Sequence, residues 1–137
     1  MKALTLHAPW AHAVAWLGKD IENRTWRPPA SAIGTRIAIH AGATATLREW
    51  SFIARVVEPL NPSAADLLTL AIWPPWPGHA TSAIVATAII GEPVTESDSP
   101  WWIGPIGWPL IDVRRLDKPI PCKGRLGLWT LPEGVIL

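Results

Sequence analysis

The sequence predicts a small mixed β-barrel of the α+β class, with five or six strands and two or three helices in one domain spanning residues 1–137. Three observations predict it. Nearly half of the 137 residues are apolar, 49 %, enough for one core at this length. Fifteen prolines imply many loops between short elements and argue against a helix bundle. Several strand patterns follow one another with no helix between them, which suits a barrel better than a doubly wound sheet.

The elements are read in order. Met1 to Leu6 alternates weakly and predicts a first strand. Pro9 opens a short helix to Leu17, with Trp10, Val14 and Leu17 at i, i+4 and i+7 as its apolar stripe. Gly18 closes that helix as a left-handed cap would. Asp20 to Trp26 predicts a strand, stopped by Pro28 and Pro29. Ile33 to His40 is a clearer strand, with Thr35, Ile37 and Ile39 on one face and Arg36, Ala38 and His40 on the other. Thr44 to Val57 reads as a helix, and Ser63 can cap another through Leu70. Trp73 to Gly78 is a rigid Trp-Pro loop. Ser82 to Ile90 is apolar on both faces, the pattern of a buried central strand. Glu92 to Gly107 is irregular, Trp108 to Leu116 is a strand, and Arg125 to Leu131 is the last.

A net charge of +1 gives no global attraction to nucleic acid. The distribution is uneven, since residues 61–111 hold no Lys or Arg but do hold Asp66, Glu92, Glu96 and Asp98. If the two ends meet in space they form a basic face; otherwise these are ordinary solvated charges. The single cysteine, Cys122, excludes an intrachain disulfide and a Cys-based zinc cage, and predicts a reducing, cytoplasmic setting. No run of apolar residues approaches the ~20 needed to span a bilayer. The four histidines show no metal-ligand spacing, so no metal or other cofactor is expected.

Residues 7–27 carry the most information. In a strand from Asp20 to Trp26, Glu22, Arg24 and Trp26 project from one face, and Lys19 sits at the turn before them. A cation, an acid, a second cation and an indole together can grip an anion or a polar heterocycle, with Arg as a donor fork, Glu as acceptor and Trp as a stacking plate. The plainer alternative is a cross-strand ion pair on a solvated face.

Pro9-Trp10-Ala11, then Gly18-Lys19, then Glu22-x-Arg24-Thr25-Trp26 resembles the signature of the ASCH family, of the PUA-like superfamily. Ile37 to Gly42 follows a strand later, as in that family. So do Gly107 to Val113, Pro119-Ile120-Pro121-x-Lys123-Gly124 and Gly127-Leu128-Trp129 at the C-terminal side. Ser97-Asp98-Ser99-Pro100 resembles the preceding loop in the family's transcription-coactivator branch. The resemblance implies a PUA-like barrel with a cleft beside the first helix, binding RNA or a modified nucleoside. If the chain is an enzyme, the expected catalytic residues are Lys19, which the resemblance implies, and Glu22, a carboxylate that can act as base while Lys19 or Arg24 stabilises the developing anion. Trp10, Arg24, Trp26, His40, Ser99 and Trp108 are then expected to bind the ligand. Some members cleave RNA, and one short-chain branch hydrolyses N4-acetylcytidine with a lysine, a threonine and a glutamate. Lys19 matches that lysine, but Glu22 stands in the threonine's place. Ala43 and Ala8 stand where many relatives carry lysine and glutamine.

The remaining candidates are open between two roles. Trp10 stacks on a base or anchors the helix. Trp101, Trp102 and Trp108 form an aromatic wall or plug the barrel's end, while Trp129 is expected in the core. His40 is an acid-base group or a hydrogen-bonded structural histidine. Three functions compete: an RNA- or nucleotide-binding module, a ribonuclease or nucleoside hydrolase, and a protein-interaction domain using the Trp-Pro loop.

Overall fold

A computed structural model describes residues 1–60, 81–135 and 137. The helix expected from Ser63 to Leu70, the Trp73–Gly78 loop and His79 lie outside the described residues. The order is β1 (Lys2–Leu6), α1 (Ala8–Trp16), β2 (Ile21–Arg24), a 3-10 turn (Ala30–Ala32), β3 (Arg36–Ala41), α2 (Leu47–Leu60), β4 (Ala83–Ile90), β5 (Ile106–Pro121) and β6 (Leu128–Thr130). The six strands form one mixed sheet in the order β2-β5-β4-β3-β1-β6, curled into a half-barrel as the predicted α+β class requires. Only β1 and β3 run parallel; every other pair is antiparallel.

The core follows from the alternation of side chains along the strands. Leu4, Leu6, Ile37 and Ile39 face α1 and pack with Val14, Ile90 and Trp108. Ala3, Ala38 and Ile84 point the other way and meet Trp129. A third cluster joins Ala13 of α1, Ile21 of β2, Ile53 and Val57 of α2, and Trp101. β4 is buried along almost its whole length, as a central strand should be.

Several boundaries differ from the sequence reading. Helix α1 is not held by one stripe: Ala8, Ala11, His12, Ala13 and Val14 are all buried, while Trp10 is half-buried and Leu17 lies past the last turn. The helix is enclosed by the sheet and α2, and its alanines allow that close approach. β3 starts later than expected because the 3-10 turn and Gly34, at φ +81°, use up the residues before it. β5 runs further, to Pro121. Its residues Ile106–Pro109 pair with β2 and those from Leu110 on pair with β4, and a bulge at Asp112, whose φ is +49°, falls inside the β4 pairing between Ile111 and Arg114. Arg36 holds that bulge through the Asp112 carbonyl and carboxylate.

Candidate functional site

The ends of the curled sheet are β2 and β6, and the gap between them is bridged by a side chain. Arg24 Nη2 donates to the Thr5 carbonyl of β1 at 3.0 Å, one residue past the last β1–β6 pair, where the Thr5 N–H still bonds to the Gly127 carbonyl at 3.2 Å. Along this seam lies a cleft of about 440 Å³, within the ordinary range of small-ligand pockets. Its walls include Trp10 of α1, Lys19, Glu22, Asn23 and Arg24 around β2, His7 and Glu49, and Ile103, Leu126 and Gly127 at its mouth.

The turn into β2 explains how the charges gather. Gly18, at φ +76°, takes the chain out of α1, and the Lys19 N–H bonds back to the Ala13 carbonyl at 3.1 Å. This folds the Lys19 side chain inward, where only 2 % of the residue is exposed. Its ammonium donates to the Ile21 carbonyl and to Glu22 Oε1, the latter at 2.9 Å, and lies 5.7 Å from the centre of the Trp10 ring. The other Glu22 oxygen pairs with Arg24 Nε at 3.1 Å. Lys19, Glu22 and Arg24 thus form a chain of alternating charge along one wall. Glu22 is 7 % exposed, so the reading of a solvated surface pair does not hold for it. One N–H of Lys19 and Nη1 of Arg24 remain without a protein partner among the described residues.

The structure separates the other predicted site residues from this group. Trp26 does not line the cleft. β2 ends at Arg24 because its partner β5 begins at Ile106, so the period-2 alternation stops before Trp26. Its ring packs edge-on against Trp108 at 4.7 Å and lies 5.8 Å from the Arg24 guanidinium. Trp108 is wholly buried, with Nε1 bonded to the Trp26 carbonyl at 3.0 Å; it is a core residue. Trp101 is likewise core. His40 lies away from the cleft: its Nε2 meets the Cys122 carbonyl at 2.7 Å and its Nδ1 the Thr5 hydroxyl at 3.3 Å. Because a carbonyl only accepts, Nε2 carries a hydrogen. The ring is covered by Gly124, where a Cβ would fall 2.3 Å from Cε1. Ser99 bonds Asp20 Oδ1 at 2.5 Å and accepts from the Trp101 N–H, so its role is to hold a loop. Cys122 is half-buried, packs against the Ala3–Ala38–Ile84–Trp129 cluster, and its thiol donates to the Lys123 carbonyl.

Sequence reasoning missed three residues. Asn23, expected on the far face of β2, fastens the 101–104 loop to the cleft: its oxygen accepts from the Ile103 and Gly104 N–H groups at 2.8 and 2.9 Å, and its amide donates to the Trp101 carbonyl. His7 and Glu49 meet at 2.8 Å on the opposite side. The signal for Glu49 was legible: Thr46-x-x-Glu49 is a capping box at the start of α2, with Glu49 Oε1 accepting from the Thr46 N–H and hydroxyl, and the Thr46 hydroxyl accepting from the Glu49 N–H.

Among the described residues no cluster of three His, Cys, Asp or Glu side chains could hold a metal ion, and no helix is long and apolar enough to cross a membrane. No protein-family model matches the chain, and no curated protein matches it. The functional reading therefore rests on the cleft itself.

Proposed function

We propose that this chain is an RNA- or nucleotide-binding domain of the ASCH type, which holds a base-sized polar ligand in the cleft at the seam of the half-barrel. The observation that carries the reading is the Lys19–Glu22–Arg24 chain on the cleft wall, with Lys19 and Glu22 buried and Arg24 half-buried. Taking charges out of water is expensive, and an apolar substitute is often as stable or more so. A buried Lys19–Glu22 pair beside a cavity, with Arg24 at its open end, is better explained by a ligand than by stability. The free N–H of Lys19 and the free end of the Arg24 guanidinium supply donors, and the half-buried Trp10 supplies an aromatic surface. The cationic and anionic side chains of the cleft balance if His7 is neutral, which favours a heterocycle with few phosphates over a long run of backbone. Resemblance to the ASCH signature supports the same ligand class, and a single cysteine fits a reducing cytoplasm.

The enzymatic alternative takes second place. Both Glu22 oxygens are engaged by cations, and the Thr5 hydroxyl accepts from Trp129 Nε1 at 2.9 Å as well as meeting His40. Neither group is free to serve as base or nucleophile without rearrangement, so N4-acetylcytidine is expected to be hydrolysed very slowly or not at all. The test is a titration of fluorescently labelled single-stranded RNA, and of free nucleosides by calorimetry, at several salt concentrations. Saturable binding with a shallow salt dependence supports the reading. Absence of any affinity for RNA, nucleotides and nucleosides removes it.

A further inference from the structure

The cleft has a second polar wall that the Lys19–Glu22–Arg24 chain does not explain. His7 precedes α1 in the N-cap position, yet its side chain makes no cap bond to the helix. It turns instead to Glu49 of α2, with Nδ1 2.8 Å from Oε2. The Glu49 carboxylate is itself fixed, because its other oxygen takes two hydrogen bonds from Thr46. Only 13 % of the Glu49 side chain is exposed against 55 % for His7, so a held carboxylate orients an open imidazole.

This arrangement settles the chemistry of the ring. A carboxylate accepts, so Nδ1 carries the hydrogen; in the neutral imidazole Nε2 is then left with a lone pair. Nε2 has no partner among the described residues. Elsewhere in the lining Glu22 accepts from Lys19 and is ion-paired with Arg24, and Lys19 and Arg24 offer only donors. In the neutral ring His7 Nε2 is therefore an unengaged acceptor in the same cleft as the donors of Lys19 and Arg24. A half-exposed hydrogen bond between His7 and Glu49 adds little stability, so fastening α2 does not account for this degree of fixation.

We propose that His7 is a ligand-contacting residue and that Glu49 positions it: Nε2 accepts a hydrogen bond from an amino N–H on the edge of the bound base. The inference rests on the base-binding reading and narrows it to heterocycles with an exocyclic amino group, contacted on the His7 side, with their acceptor atoms toward Lys19 and Arg24.

The experiment compares matched probes on the full chain by calorimetry: cytidine against N4,N4-dimethylcytidine, and adenosine against N6,N6-dimethyladenosine. The wild type is expected to prefer the unmethylated member of at least one pair by about tenfold, the scale of one well-made hydrogen bond. His7→Ala should reduce that preference to within about twofold, whereas His7→Gln, whose amide oxygen can reach the Nε2 position, should restore part of it. Glu49→Gln should weaken the preference while leaving the Arg24→Ala effect on overall affinity in place. Equal affinity for both members of each pair overturns the His7 assignment while the binding reading stands. A preference that survives His7→Ala does the same, because the methyl groups would then clash elsewhere. No binding of any of the four nucleosides or of RNA overturns both.

Discussion

Two buried polar networks lie close together in this sheet, and they differ in one respect. The first is the Lys19–Glu22–Arg24 chain at the seam. The second runs from Trp129 Nε1 to the Thr5 hydroxyl, to His40, and to the Cys122 carbonyl. Both shelter titratable groups. The seam network borders a cavity and keeps free donors, whereas the His40 network is sealed by Gly124 and packs edge-on against Trp129 at 5.6 Å. The seam network lines the cavity with all three of its residues, the His40 network only at Thr5. A histidine at a strand end and a lysine at a helix end look equally functional in a sequence, and the cavity is what separates them.

The largest expected effect tests whether the seam network is kept for stability. Lys19→Met leaves buried Glu22 with one cation and should destabilise by about 3–5 kcal/mol in urea unfolding. Pairing it with Glu22→Leu should recover most of that loss, while leaving RNA or nucleoside binding abolished. If the double variant is as unstable as the single one, the charges are structural in the same sense as the His40 network. Next, Gly124→Ala forces a Cβ against the His40 ring and should cost about 1–3 kcal/mol of stability. Its ligand affinity should match the wild type, and a loss of affinity in the folded protein would make His40 part of the site. Arg24→Ala should weaken RNA binding by about 1–3 kcal/mol, measured by anisotropy. Unchanged binding would remove Arg24 from the contact surface and leave it only the seam bond to Thr5. The smallest effect belongs to Ser99→Ala, about 1 kcal/mol in stability from the lost Asp20 bond, with no change in affinity.

Much of the frame was legible in the residues. Alternation placed Glu22 and Arg24 on one face, and Gly18 marked the left-handed exit from α1. What failed depended on distant partners. Trp26 followed the same alternation on paper, but a strand persists only while its neighbour does, and β5 starts too late to pair with it. Read alone, β5 stops at Leu116 because Asp117, Lys118, Pro119 and Pro121 look like a loop, whereas pairing with Ala83 and Ile84 of β4 carries the strand on to Pro121. Helix α2 begins at Leu47 rather than Thr44, and the Thr46-x-x-Glu49 box was the local cue that marked it. The roles of Asn23 and His7 depend on loops that fold against them from elsewhere in the chain, so spacing alone carried no trace of either.

The two outer strands of the described sheet have a further consequence. β2 is four residues long and β6 is three, and the β2 border carries an engaged ion-pair chain whose arginine reaches across the gap. Short, charged margins are poor templates for docking an extended peptide or a second sheet by backbone pairing. The Arg24 bridge also caps the exposed Thr5 carbonyl, one of the acceptors such a visitor would need. Recognition at this margin is thereby left to side chains. That favours a flat ring with specific edges over a segment of polypeptide.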